Sequence, residues 1–211
     1  MKKRILLFFI ITISLFNDGI SSAEAPKNYL KGKFYNSVKD HFLVATEKMK
    51  DSRFSKTVIV MLENDKNGAW GFVINKPLGT IPIASLIDSS LNTSKDREKL
   101  LKKKIQVFWG GPVDVEEIFI LHSTEYRSET TRNYGNISVS KDYNILFDIA
   151  ENKGPEKSLV IFGYSGWGNG QLEGEMERGG WILSDIDLNI TFDKDSNTKW
   201  ERAFKNSFIK I

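Results

Sequence analysis

The chain has 211 residues, 40% of them hydrophobic and 27% charged, with a formal net charge of +3. That length can bury a core without covalent staples, and one domain is favoured because it is well under twice a typical domain. The absence of cysteine excludes disulfides, thiolate nucleophiles, iron–sulfur clusters and cysteine-ligated zinc, and a histidine count of two, His41 and His122, excludes a zinc site built on several imidazoles.

Residues 1–23 read as an export leader. Lys2, Lys3 and Arg4 are followed by a 12-residue apolar run (ILLFFIITISLF) and then by Ser21, Ser22 and Ala23. Basic, apolar and small segments in that order are the layout of a secretory signal peptide. The run is short for a permanent span, which needs ~20 apolar residues. Cleavage after Ala23 is favoured over Ala25, because Pro26 would follow the latter. The implied address is the periplasm or another exported location; an uncleaved leader would instead anchor the chain in the inner membrane. Residues 1–23 hold three basic residues and one acid, Asp18, so the mature net charge falls to +1. A balanced surface argues against non-specific nucleic-acid binding, which relies on clustered Lys and Arg. The one basic cluster (KLLKKK, 99–104) follows Asp96 and Glu98 and reads as a solvated helix face.

Residues 24–40 form a tether without sustained periodicity, and the domain spans 41–211. Strands are expected at 42–46 (FLVAT), 57–63 (TVIVMLE) and 69–75 (AWGFVIN), the last two as a hairpin over a loop of about five residues. Asn75-Lys76-Pro77 closes it, since proline cannot donate to a ladder. A helical turn is expected within 81–87, and a polar loop leading into a short helix over 88–104. Further strands are expected at 105–109 (IQVFW), 117–123 (EIFILHS) and 137–140, with an exposed loop at 124–136. Ser140 is the expected cap of a helix reaching about Glu151. Residues 158–165 (SLVIFGYS) form the best central strand, followed by a turn at 166–170, a helix at 171–178, short strands at 181–184 and 189–192, and a last helix capped by Asp195 or Ser196. Trp200, Ala203 and Phe204 share one face of that helix. Strands in hairpins mixed with strand–helix–strand units indicate an α+β domain.

Three glycine-punctuated segments stand at strand ends: GFVINKP (71–77); WGGPV (109–113), with Leu121-His122-Ser123 nearby; and GYSGWGNGQLE (163–173). Glycine there lets the backbone approach a ligand or another strand closely. In this order and spacing the segments resemble the YqgE/AlgH family of conserved bacterial proteins. The resemblance runs from FLVAT through GAWGFVINKPLG, VFWGGPV, IFILHS and LVIFGYSGWGNGQLEGEM to the terminal KWERAF, nearly the whole mature chain. It implies a single α+β domain with a bifurcated, flattened barrel-like mixed β-sheet and flanking helices. It implies no reaction, and one branch of the family is named for a regulatory effect. Many members carry Cys and His where this chain has Leu62 and Asn64, so thiol or imidazole chemistry is not available there. Trp70 stands where Met or a small residue is common, and Glu47 where Pro is common.

The favoured function is a non-enzymatic ligand-binding or regulatory protein of the cell envelope, without a cofactor, whose partner is a small molecule or an envelope protein. Its cleft would be formed by Asn75, Pro77, Gly110, Gly111, Pro112, His122, Gly166, Trp167, Gly168, Gly170 and Gln171. Trp109, Trp167 and Trp181 either line such a cleft or pack the core. A hydrolase or transferase is the first alternative, with His122 as base for Ser123 or Ser165. Ser165 lies in a segment close to a nucleophile elbow but one residue short of its spacing. Glu173, Glu175 and Glu177 read as a solvated helix face, and Gly-Asn-Gly-Gln at a helix start as a weak phosphate cradle that lacks the P-loop lysine. A transcriptional regulator, by family analogy, is the last alternative.

Overall fold

The computed structural model describes residues 37–87 and 100–207, with the backbone of a short antiparallel pair, β1 (Lys27–Asn28) and β2 (Lys33–Phe34). The leader, most of the tether and the loop expected from residue 88 lie outside the described residues, apart from residues 100–104. The domain opens with β3 (His41–Ala45), β4 (Val58–Asp65), β5 (Gly68–Val73) and β6 (Pro77–Pro82). It continues through β7 (Lys104–Trp109), β8 (Val113–His122), β9 (Arg132–Tyr134), β10 (Ile137–Ser140) and helix α1 (Asn144–Ala150). The C-terminal part holds β11 (Ser158–Gly168), α2 (Gln171–Glu177), β12 (Trp181–Asp185), α3 (Leu188–Thr191) and α4 (Ser196–Asn206).

Ten strands make one mixed sheet that forks at β11. One arm runs β12-β3-β4-β5 and joins the C-terminal half of β11, where Ser165 faces Gly71 and Gly168 faces Gly68. The other arm surrounds the N-terminal half: β8 pairs antiparallel with one edge and leads to β10 and β9, while β7 pairs parallel with the opposite edge and carries β6. The α+β class and the bifurcated sheet are therefore as the sequence led one to expect.

Because β7 and β8 occupy opposite edges of one strand, the three residues between them must cross over it. Gly110 donates its N–H to the Phe162 carbonyl at 2.8 Å and accepts from Val73 N–H at 3.0 Å. A Cβ on Gly110 would lie 2.2 Å from the Gly163 carbonyl oxygen, and one on Gly111 would lie 2.3 Å from the Tyr164 carbonyl. Gly163 itself takes φ +68°, and the register of β11 against β8 shifts between Phe162 and Tyr164. A backbone can cross another this closely only where the crossing residues carry no Cβ.

Most sheet strands are buried on both faces, which explains their unbroken apolar runs. Phe42, Val44, Val58, Val60 and Leu62 pack with Phe72, Phe119 and Ile161 in the central core, closed by Ala203 of α4. The alternate residues Leu43, Ala45, Ile59 and Met61 face a second core under α2, with Trp167, Leu172 and Met176. A third core places Ile145, Leu146 and Ala150 of α1 on Val107, Ile120 and Val160.

Several local expectations differ from the structure for identifiable reasons. The β4–β5 hairpin is tighter than a five-residue loop, because pairing continues to Asp65 opposite Gly68 after a bulge between Met61 and Glu63. β6 is an edge strand concealed in the sequence by a proline at each end, positions tolerated because only one side of the strand is paired. The 124–136 loop contains β9, and the strand expected at 158–165 runs on to Gly168. Residues 189–192 are not a strand; the Asp187 carboxylate accepts the Asn189 N–H at 2.7 Å and starts α3. Ser140 does not cap α1. It lies in β10, and Asp142 receives the Asn144 N–H instead.

Candidate functional site

The eleven residues proposed from sequence do not surround one hollow. Asn75 locks the end of the hairpin: its side-chain oxygen accepts from Val58 N–H at 2.9 Å and its amide donates to the Lys56 carbonyl at 2.8 Å. Pro77 opens the exposed edge strand β6. Gly110 and Gly111 are buried in the crossing. Pro112, Gly166, Trp167 and Gln171 do share one cleft. Gly168 and Gly170 are exposed and sit at the start of α2, where Gly170 takes φ +74°.

His122 is fully buried at the far end of β8. Its Nδ1–H donates to the Ser123 carbonyl at 2.8 Å, which fixes Nε2 as acceptor from the Ser140 hydroxyl at 2.9 Å. Burial pushes this imidazole below its ordinary value, so it is neutral near pH 7. Ser123 donates its hydroxyl to Glu125 at 2.8 Å rather than to the imidazole. Ser165 is also buried and donates to the Gly110 carbonyl at 3.0 Å, which ties the crossing to β11. His122 pairs with Ser158, seven residues before Ser165 on the same strand, so base and hydroxyl stand roughly 20 Å apart. Neither Ser123 nor Ser165 reaches the imidazole; the hydroxyl that does, Ser140, is buried together with His122 and closed off from solvent.

Two hollows flank the C-terminal half of β11. Ser165 faces the smaller and Tyr164 the larger, as neighbouring residues of a strand must, and Trp167 borders both. The smaller cleft, of about 350 Å³, lies under α2 and is bordered by Lys48, Lys50, Arg53 and Arg178 against Asp51 and Glu175. Its aromatic wall is continuous: Phe54 lies 5.4 Å from Trp109 and 5.6 Å from Trp181, and Trp181 lies 6.1 Å from Trp167. Glu175 organises it. One carboxylate oxygen accepts both indole N–H groups, Trp167 at 3.0 Å and Trp181 at 2.8 Å, and the other accepts from Gln171 at 3.2 Å.

The larger groove, of about 1150 Å³, opens between the two arms. Trp70 stands at its centre in edge-on contact with Phe72, Tyr134 and Tyr164, ring centroids 5.5–5.9 Å apart. Trp70, Tyr134 and Tyr164 are only half-buried, whereas Phe119 and Val139 beneath them are closed off. Trp70 Nε1–H donates to Glu63 at 2.9 Å. Burial, with the charge of Glu63 next in importance, raises the Tyr134 phenol above its ordinary value; burial and then Asp114 do the same for Tyr164. Both stay protonated at physiological pH. Five carboxylates (Glu63, Asp65, Asp114, Glu117 and Glu129) border this groove against two cations, Arg132 and Lys141. The small net charge of the chain thus conceals an acidic hollow and a basic one.

The AlgH-like family model matches residues 42–211. The chain belongs to the AlgH-like family. A UPF0301 protein of Methylococcus capsulatus is 34% identical over 171 residues, covering 81% of this chain and 91% of that one. A UPF0301 protein of Pseudomonas aeruginosa is 35% identical over 166 residues, covering 79% and 86%. The solution structure of the AlgH protein from Pseudomonas aeruginosa superposes with a TM-score of 0.68 at 31% identity, over 82% of this chain and 90% of that one. A crystal structure of a Corynebacterium diphtheriae protein shares the fold at a TM-score of 0.64 and 14% identity, over 87% and 95%.

Five residues that matter in this AlgH-like chain are not legible in its sequence. The i, i+2, i+4 spacing of Glu173, Glu175 and Glu177 shows only that a helix face is acidic, not that two indoles converge on Glu175. Trp70, Tyr134 and Tyr164 come from strands far apart in sequence and meet only because the AlgH-like sheet forks. Lys199 lies on the inward face of α4, one residue before Trp200. It is fully buried and donates to the Thr191 carbonyl at 2.7 Å and the Ile74 carbonyl at 3.0 Å. Its burial was the least legible, since lysine is almost never placed in a core by pattern. Among the described residues there is no helix long and apolar enough to cross a membrane, and no cluster of three or more metal-ligating side chains.

Proposed function

We propose that this is an exported binding protein rather than a catalyst, and that its ligand lies in the large groove against Trp70. One observation carries the reading: three aromatic rings packed on the central core stand only half-buried around an open groove of about 1150 Å³. Aromatic faces left uncovered in a concave site are the usual lining of a small-molecule pocket. The non-catalytic part of the reading is supported by the engagement of His122, Ser123 and Ser165 in structural hydrogen bonds. The export part is supported by the leader pattern of residues 1–23.

The test is a tryptophan-fluorescence and thermal-shift titration of purified protein with amines, neutral sugars and organic acids, repeated with Trp70→Ala. A ligand-dependent signal lost in Trp70→Ala, with the unliganded melting temperature little changed, is the expected result. Silence from every class, or a signal indifferent to Trp70, rejects the reading. Intact-mass measurement after envelope fractionation tests the address: a soluble envelope species lacking residues 1–23 is expected, and a cytoplasmic full-length species overturns it.

A further inference from the structure

We propose that the groove beside Trp70 is selective for aliphatic ammonium groups and takes a small polyamine. The proposal deepens the binding reading above and rests on it. Three independent features of the groove lead to the same chemistry.

The first is charge. Among the described residues Glu63 and Asp114 have no cation at ion-pair distance, while Lys141 is taken up by Glu117 at 2.6 Å. Arg132 is the other cation on the border, so five carboxylates face two cations and the groove keeps an acidic excess. The second is the position of those carboxylates. Glu63 receives the Trp70 indole N–H, so a negative oxygen is fixed at the rim of the largest aromatic surface in the groove. An ammonium placed there touches an aromatic π-system and a carboxylate together, a pairing that gains more than either alone once water is displaced. An anionic ligand would meet five carboxylates, and a neutral sugar would leave the excess charge uncompensated.

The third feature is that the protein already seats an ammonium in this groove. Lys141 Nζ lies 4.5 Å from the centroid of Phe119 while bridging to Glu117. Phe119 is 6.1 Å from Tyr164, and Tyr164 is 5.8 Å from Trp70, so the same wall continues to the Glu63 end. The Lys141 end is filled by the chain's own alkylammonium; the Trp70 end repeats the aromatic ring beside a carboxylate, with the Arg132 guanidinium near Tyr134 but no alkylammonium among the described residues.

Isothermal titration of the purified protein with spermidine tests this, with methyl glucoside and glutarate as neutral and anionic arms. Spermidine binding is expected. It should weaken at least about tenfold in the double variant Glu63→Gln, Asp114→Asn, which keeps shape and aromatic lining but removes both charges. Raising NaCl from about 20 mM to about 300 mM should also weaken spermidine binding to the unaltered protein, which keeps the proposal testable should the variant not fold. Binding of methyl glucoside or glutarate without spermidine overturns the ammonium assignment and leaves the binding reading standing. Spermidine binding insensitive to salt or to the double variant overturns the assignment as well. Absence of binding in every arm removes both.

Discussion

Replacing Gly111 by alanine tests the crossing on which the whole fork depends. The new methyl carbon would lie 2.3 Å from both the carbonyl carbon and oxygen of Tyr164 and 2.4 Å from the Ser165 nitrogen, all backbone atoms of the central strand. Ordinary contact begins near 3.4 Å. The crossing segment must therefore lift by about 1 Å, which strains the two backbone hydrogen bonds of Gly110 and the one its carbonyl receives from Ser165. At roughly 1 kcal/mol each, these bonds amount to about 3 kcal/mol. The φ of +149° at Gly111 adds about 1 kcal/mol against any side chain. The sum, ~3–5 kcal/mol, is a large part of a typical domain's stability and lowers the melting temperature by roughly 10 °C or more. Gly168→Ala is the matched control from the same glycine-rich motifs. Nothing lies within 4 Å of its Cβ position, and its φ is not in the left-handed region, so its effect should stay within about 0.5 kcal/mol. Urea denaturation of both variants, monitored by circular dichroism, measures the difference. Equal destabilisation by the two, or a Gly111→Ala protein as stable as the unaltered one, refutes the crossing as the reason for these glycines.

Lys199 gives a pH signature. Burial depresses its amine from the ordinary 10.5 to about 8, so above pH 8 the folded protein releases a proton that the unfolded chain still holds. Stability should therefore rise with pH between 8 and about 10, by up to roughly 3 kcal/mol, and Lys199→Met should flatten that rise in a pH series of urea melts. The same sign holds for His122 in a lower window: below pH 6.5 the unfolded chain gains a proton that the buried neutral imidazole refuses, so stability falls with acid. His122→Leu should lessen that acid loss, yet cost about 1–3 kcal/mol at neutral pH by taking the imidazole partner from the Ser123 carbonyl and from Ser140, which keeps only Thr131. Glu175→Ala strands two indole N–H groups and should cost roughly 2–4 kcal/mol with a red shift of tryptophan emission, whereas Glu175→Gln, which keeps an acceptor oxygen, should recover most of both.

The linear sequence determined what depends on near neighbours. The apolar runs at 58–62 and 158–162 declare strands buried on both faces; Asp195 begins the last helix by accepting the Asn197 N–H at 3.0 Å, one of the two caps expected there. The recurring glycines announced close backbone approach. Only the tertiary structure decided what approaches what. Gly110 and Gly111 meet the backbone of β11 and no ligand, because β7 and β8 take opposite edges of that strand, and edge choice is a long-range pairing that no local pattern encodes. The same fork gathers Trp70, Tyr134 and Tyr164 at one groove and aims two indoles at Glu175 on the other side. An aromatic residue reads alike in sequence whether its ring closes a core or lines an opening; burial is settled by what the rest of the chain places over it.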